Sequence, residues 1–270
     1  MQLKLQKFEP CSVDNTRTWL IIGRRGSGKS TMVKDFLYHH RKSNPYGVVF
    51  SATEDANEAY SSIFPSLYVH NEYKEDVLKK VIFQQKKLRR QGVKTGCYVI
   101  LDDVLYDKKV MNSKTIRQAL YNGRHWGLQL FVVAQYVVDV PSSLRSQFDC
   151  VVVMMEPSAN TRKRINEYWL SSLTPKQTNQ LLDATTQNYE GLVIVNYRPS
   201  TNLSETCFWY KANANLPQFK VGSTAFWEYA SAHYDDNWEE RADALEAGEG
   251  SKKKKSRDDN AVIIIKKKKK

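Results

Sequence analysis

No apolar run in the 270-residue chain approaches the roughly 18 residues needed to cross a bilayer, so no membrane span is expected. Cysteine is scarce. Cys11, Cys97, Cys150 and Cys207 lie far apart, with no C-x-x-C pair and no histidine at ligand spacing. That argues against a zinc site or a disulfide framework and suits a reducing compartment. The opening MQLKLQKFEPCSVDN has no apolar h-region followed by small residues, so no secretory signal is expected. No internal repeat occurs. At 41% apolar and 26% charged, the composition is globular, neither disordered throughout nor fibrous.

What the chain has in excess is positive charge, formally +12. Residues 251–270 hold ten Lys or Arg against two Asp, while residues 235–250 hold seven acids and one Arg. Residues 1–234 therefore stay strongly basic on their own account, which suits a polyanionic partner, though solubility alone is also served. The acidic-then-basic segment 235–270 is expected to be a disordered tail, and 1–234 a single domain. KKKKSR (252–257) and the final lysines suit three uses: a nuclear address, non-specific DNA tethering, or contact with an anionic membrane face. The intervening AVIII (261–265) is too short to span a membrane.

Short apolar runs alternate with longer mixed stretches. TWLII (18–22), GVVFSA (47–52), CYVIL (97–101), LQLFVVA (128–134), CVVVMM (150–155) and GLVIVNY (191–197) read as strands. Their hydrophobicity is nearly continuous, as it is in strands buried on both faces. ETCFWYK (205–211) reads as a late antiparallel strand at the sheet edge. Residues 73–91 read as a helix ended by Gly92, with Val77, Leu78, Val81 and Leu88 inward and Lys79, Lys80, Lys86, Lys87 and Arg90 outward. Such a basic face either tracks phosphates or is an ordinary solvated side. A further helix is expected from Thr174, with Pro175 at its first position and Leu181 and Leu182 turned inward. Strand–helix alternation of this kind predicts an α/β fold with a mostly parallel sheet flanked by helices.

The first strand runs into GRRGSGKS (23–30), which satisfies G-x-x-x-x-G-K-[ST], with a helical run from Thr31 to His40 behind it. Gly23, Gly26 and Gly28 let the backbone curl so that N–H groups, including those of Arg24, Arg25 and Ser27, face a phosphate chain. Lys29 reaches the terminal phosphates, Ser30 ligates Mg²⁺, and the helix start at Ser30 and Thr31 adds its partial positive charge. The expected ligands are ATP and Mg²⁺. Asp102 and Asp103 follow the apolar run YVIL. Asp102 would order the metal's shell, and Asp103 would polarise the attacking water, a role more often filled by Glu. Gln135, at the tip of the strand LQLFVVA, could sense the γ-phosphate or orient water. Arg124, in NGRHWG, reads as lying in a short turn; on spacing alone it is equally a solvated arginine or a finger donated to a neighbour's nucleotide.

Neither the GTPase D-x-x-G and N-K-x-D segments nor the transporter L-S-G-G-Q signature is present. The order GRRGSGKS, YVILDD, NGRHWGLQLFVVAQY, VPSSLRSQFDCVVVM resembles the FtsK–HerA superfamily of RecA/ASCE-type P-loop NTPases. Within it, the chain is most similar to the poxvirus-type DNA-packaging ATPases of large nucleocytoplasmic DNA viruses, over about residues 16–210. The resemblance implies an ATP-driven translocase of double-stranded DNA, a ring, most simply a hexamer, and a capsid or portal-type partner. It places a trans-acting arginine at Arg124, the terminal glutamine at Gln135 and a further recurrent arginine at Arg145. The wider superfamily usually has Glu where this chain has Asp103. The settings implied are host cytoplasm or viral factory, or the virion, with the lysine-rich tail leaving the nucleus open. Two other functions fit a strand, P-loop and helix: a small-molecule phosphotransferase, and a DNA-binding virion protein that does not hydrolyse its nucleotide.

Overall fold

A computed structural model describes residues 3–234. Contacts divide the chain into two units, Met1–Ser231 and Ala232–Lys270, and the sheet belongs wholly to the first. Its nine strands are β1 (Gln6–Lys7), β2 (Thr18–Ile22), β3 (Gly47–Ser51), β4 (Val69–His70), β5 (Cys97–Asp102), β6 (Leu128–Ala134), β7 (Cys150–Val153), β8 (Glu190–Val195) and β9 (Cys207–Lys211). The helices are α1 (Lys29–His40), α2 (Glu54–Asn57), α3 (Glu75–Arg90), α4 (Lys108–Asn112), α5 (Lys114–Trp126), α6 (Ser142–Arg145), α7 (Ala159–Trp169), α8 (Pro175–Thr185), α9 (Leu203–Thr206) and α10 (Thr224–His233).

Strand order is β1-β9-β8-β7-β2-β6-β5-β3-β4. From β7 across to β4 every pairing is parallel; β8 turns antiparallel to β7, and β9 antiparallel to β8. The sheet is mostly parallel and flanked by helices, as its sequence pattern predicts.

Alternate residues of the longer strands feed two separate cores. Leu20, Ile22, Val99, Leu101, Leu130 and Val132 pack on one face with Leu78 and Ile82 of α3, Ile116 and Ala119 of α5, and Leu182 of α8. Trp19, Ile21, Tyr98, Ile100, Phe131 and Val133 pack on the other with Met32, Val33, Phe36 and Leu37 of α1. A strand covered on both sides gains from apolar side chains at every position, which explains the unbroken runs.

The helix ends follow local chemistry. Gly92, at φ +77, closes α3; its N–H donates to Arg89 O, and Val93 N–H donates to Leu88 O, the double bond of a Schellman turn. Thr174 and Gln177 form a reciprocal capping box ahead of Pro175. Lys79 pairs with Asp76 and Glu75, and Lys86 lies over the Trp126 ring, so the latter flanks the α3–α5 contact and does not join the outward basic face.

Three expectations need correction. The 205–211 segment is not an edge strand: its start is a helical turn capped by the Asn202 side chain, and β1 pairs outside β9. Residues 122–125 are not a turn but the last turn of α5. Gly123 is buried against Leu128, and Gly127, at φ +79, ends the helix. The phosphate-loop helix begins at Lys29 and not at Thr31. The expected tail, 235–270, lies outside the described residues.

Candidate active site

β2 lies near the middle of the sheet, between β6 and β7, and its C-terminal end delivers the Gly23–Ser30 loop there. Gly23 N–H donates to Ala134 O at 3.3 Å and Arg24 N–H to Met155 O at 3.4 Å, so neighbouring strand ends grip the loop's entry. A Cβ on Gly23 would sit 2.6 Å from Met154 Cβ and 2.7 Å from Ser27 Oγ, which leaves glycine as the residue that fits. Gly26 and Gly28 take φ +76 and +92, a region L-residues with side chains resist. Arg24 and Arg25 are exposed at the crown of the loop, while Ser27 is buried, its Oγ without a partner among the described residues. Thr31 follows in the first turn of α1.

Lys29, 7% exposed, opens α1 and donates from Nζ to Arg24 O at 3.1 Å. Burial lowers its pKa, against the pull of Asp103, Asp102 and Glu156. Its ammonium thus rests on a loop carbonyl amid three acids, a cation prepared for a more strongly anionic partner.

Ser30 Oγ donates to Asp102 Oδ2 at 3.0 Å, and the Tyr60 hydroxyl, fully buried, donates to the same oxygen at 2.7 Å. Asp102 is 2% exposed, and its Oδ1 is buried without a partner among the described residues. Burial raises its pKa, opposed by the bonds from Tyr60 and Ser30. A buried carboxylate with an orphan oxygen beside a serine hydroxyl is a hard oxygen donor set, and it fits a magnesium ion that keeps most of its ligands as waters and phosphates. These two residues would hold that ion.

Asp103 and Gln135 meet directly, Gln135 Nε2 donating to Asp103 Oδ1 at 3.1 Å. β6 lies between β2 and β5, so Gln135 stands between the loop and the acid pair. Asp103 has φ +54, a left-handed break that ends the strand's alternation just past Asp102. Residues that sequence reasoning places together are together here: loop, serine, two acids and glutamine share one edge.

Arg124 is not among them. It is exposed in the last turn of α5, before Leu128, at the end of β6 opposite Gln135. The seven residues of β6 span about 20 Å at the rise of a parallel strand. A guanidinium on that far edge does not reach the loop of its own chain. Arg145 is buried, donates from Nε to Val140 O at 2.9 Å and lies 4.2 Å over the Tyr168 ring. It bridges α6 to α7.

Three residues of the site were missed. Glu54 Oε1 accepts from the N–H groups of Tyr60 and Ser61, both at 2.8 Å, and so fixes the segment that seats Tyr60 on Asp102. Glu156, 5% exposed, accepts from Ser158 N–H and completes the acids around Lys29. Both glutamates closely follow an apolar strand, the cue that found Asp102. Tyr60 carries no local cue.

No family model matches the chain. Among proteins, it is 32% identical over 216 residues to uncharacterized protein 088R of Invertebrate iridescent virus 3, covering 78% of this chain and 82% of that one. The chain belongs to the same family as 088R. Uncharacterized protein L437 of Acanthamoeba polyphaga mimivirus, also in this family, is 30% identical over 232 residues, covering 81% and 80% of the two chains. Uncharacterized protein 015R of Frog virus 3 is 30% identical over 217 residues, 78% of this chain; the match spans only 66% of the frog virus protein. Among solved structures, the genome packaging NTPase B204 of Sulfolobus turreted icosahedral virus 2, in complex with ATP-γS, superposes with a TM-score of 0.54 at 20% identity. It covers 74% of this chain and 98% of its own. The pCW3 conjugation coupling protein TcpA gives 0.51 at 16% identity, over 73% and 60% of the chains. The chain thus has the P-loop NTPase fold of these structures.

Proposed function

We propose that the protein is an ATPase that drives double-stranded DNA through a homo-oligomeric ring during viral genome packaging, as the resemblance to poxvirus-type packaging ATPases of the FtsK–HerA superfamily implies. The observation that carries the catalytic part is the paired contact at the strand edge: Ser30 to Asp102, and Gln135 to Asp103. Loop N–H groups cradle the phosphates, and Lys29 Nζ leaves Arg24 O for them. Bound magnesium would neutralise charge on the β- and γ-phosphates. Asp103, fixed through Oδ1 by Gln135, keeps its second carboxylate oxygen for the attacking water, takes its proton and orients it toward the γ-phosphorus.

Arg124 supports the ring. An exposed arginine about 20 Å from its own loop serves catalysis by completing a neighbour's site, where its planar guanidinium spreads over the transferred phosphoryl. A head-to-tail contact of that kind closes into a ring, which we take to be a hexamer. The basic balance of residues 1–234 supports duplex DNA as cargo without base reading. That B204 is a genome packaging NTPase and TcpA a conjugation coupling protein supports the same reading. A capsid or portal-type protein would hold the ring, in host cytoplasm or viral factory.

The test is ATP turnover by the full chain with and without duplex DNA. Stimulation by DNA, lost in Lys29→Ala, supports a motor. Turnover indifferent to DNA but dependent on a small acceptor would make it a phosphotransferase, and binding without turnover a structural nucleotide site.

A further inference from the structure

We propose that Tyr189 is the platform on which the nucleobase of the bound triphosphate stacks, an inference that rests on the nucleotide reading of the Gly23–Ser30 loop.

The sheet sets up two flanks around that loop. Asp102, Asp103 and Gln135 lie at the ends of β5 and β6, on one side of β2; β7 and β8 lie on the other. A triphosphate whose terminal phosphates sit beside Ser30 and Asp102 leads its nucleoside away from that acidic side. β8 is antiparallel to β7, with Leu192 opposite Val153, so the residues just before β8 return to the edge that carries the loop. Tyr189 is the last of them.

Its ring stands against the loop. Tyr189 Cδ1 lies 3.3 Å, and its Cβ 3.8 Å, from where a Cβ on Gly28 would be. The residue is nevertheless 68% exposed, so it is not packed into either core and stays open to solvent beside the loop. Exposure alone would not single it out, because Tyr106 and Tyr121 are also exposed; proximity to Gly28 does.

The backbone gives a second, independent reason. Asn188 and Tyr189 have φ +52 and +64 in succession, and Glu190 N–H donates to Gln187 O at 2.9 Å to hold the turn. Asparagine tolerates this region, but a bulky aromatic residue is uncommon there and is maintained against a local cost. That turn aims the Tyr189 Cα–Cβ bond beside the loop ahead of any ligand, so no backbone rearrangement is needed to bring the ring to a base. Every base has a π face, so a lone aromatic platform accepts purine nucleoside triphosphates without choosing strongly among them.

The experiment measures affinity of the full chain for Mg–ATPγS, Mg–GTPγS and Mg–tripolyphosphate, the last having no base. Tyr189→Asn removes the ring and suits the left-handed backbone. It is expected to weaken both nucleotides by about 5- to 100-fold and leave tripolyphosphate unchanged. Tyr189→Phe should bind all three like the wild type. Equal weakening of tripolyphosphate, or no weakening of the nucleotides, would overturn the stacking role. So would a wild type that binds ATPγS no more tightly than tripolyphosphate. A wild type that binds none of the three defeats the nucleotide site itself, and this inference with it.

Discussion

Mixing two dead variants tests the borrowed arginine. Arg124→Ala keeps the loop, Ser30, Asp102 and Gln135 intact and removes only a group on the far edge of the sheet, about 20 Å away. Lys29→Ala does the reverse, leaving α5 untouched and disabling the cradle. Each alone should lower turnover by about 10³-fold or more, the scale of a trans arginine or a lost phosphate lysine. In a head-to-tail ring assembled from equal amounts of both, an intact loop faces an intact Arg124 at about a quarter of the interfaces. Mixed rings should therefore recover up to about a quarter of wild-type turnover, less where sites fire in sequence. The assay is phosphate release after the two variants are co-refolded or exchanged, with each alone as control. Were Arg124 to act within its own chain, every subunit of a mixed ring would still lack one essential group. Recovery no greater than the sum of the separate variants would refute the argument from strand direction.

Other substitutions separate roles within the site and the fold. Gln135→Ala should keep ATPγS affinity within a few-fold and lower turnover by about 10²-fold, because it frees Asp103 without touching the cradle; single-turnover phosphate release measures it. Gly23→Ala drives a methyl against Met154 and Ser27, and should destabilise the fold by about 1–3 kcal/mol in urea titration and weaken phosphate binding. Arg145→Ala removes the bridge between Val140 and Tyr168, so its effect should appear as about 1–2 kcal/mol lost in urea titration, with turnover by the folded protein kept. His70, stacked on Phe50, is pushed down to about 4 by burial, with Lys74 adding to the effect. Its neutral form is favoured in the fold, so stability present above pH 6.5 is lost as acid takes the protein toward pH 4, because the unfolded chain takes up the proton first. His70→Phe should flatten that stretch of the stability curve by about 1–2 kcal/mol after solvent screening is allowed for.

What the sequence made legible follows from range. The seven longer strands show because both cores draw on them, and the Gly23–Ser30 loop shows because every residue it needs is contiguous. Asp102 and Gln135 show because each ends an apolar run. β1 and β4, two residues apiece, are too short to leave a pattern, and they form only because a longer neighbour offers an edge. The end of α5 misread as a turn because Gly123 and Gly127 bracket Arg124. Only the second breaks the helix; the first admits Leu128 at close range. Tyr60 reaches Asp102 across 42 residues, and Tyr189 reaches Gly28 from the opposite flank of the sheet. Contacts of that kind exist only once the strand order does.

Magnesium-dependent binding of ATPγS, measured by calorimetry on the wild type and on Asp102→Asn, is the most direct test of the account. Tight binding that weakens when magnesium is withdrawn, and loses that dependence in the variant, is the expected result. Affinity that is absent, or that is the same with and without the ion in both proteins, would contradict it.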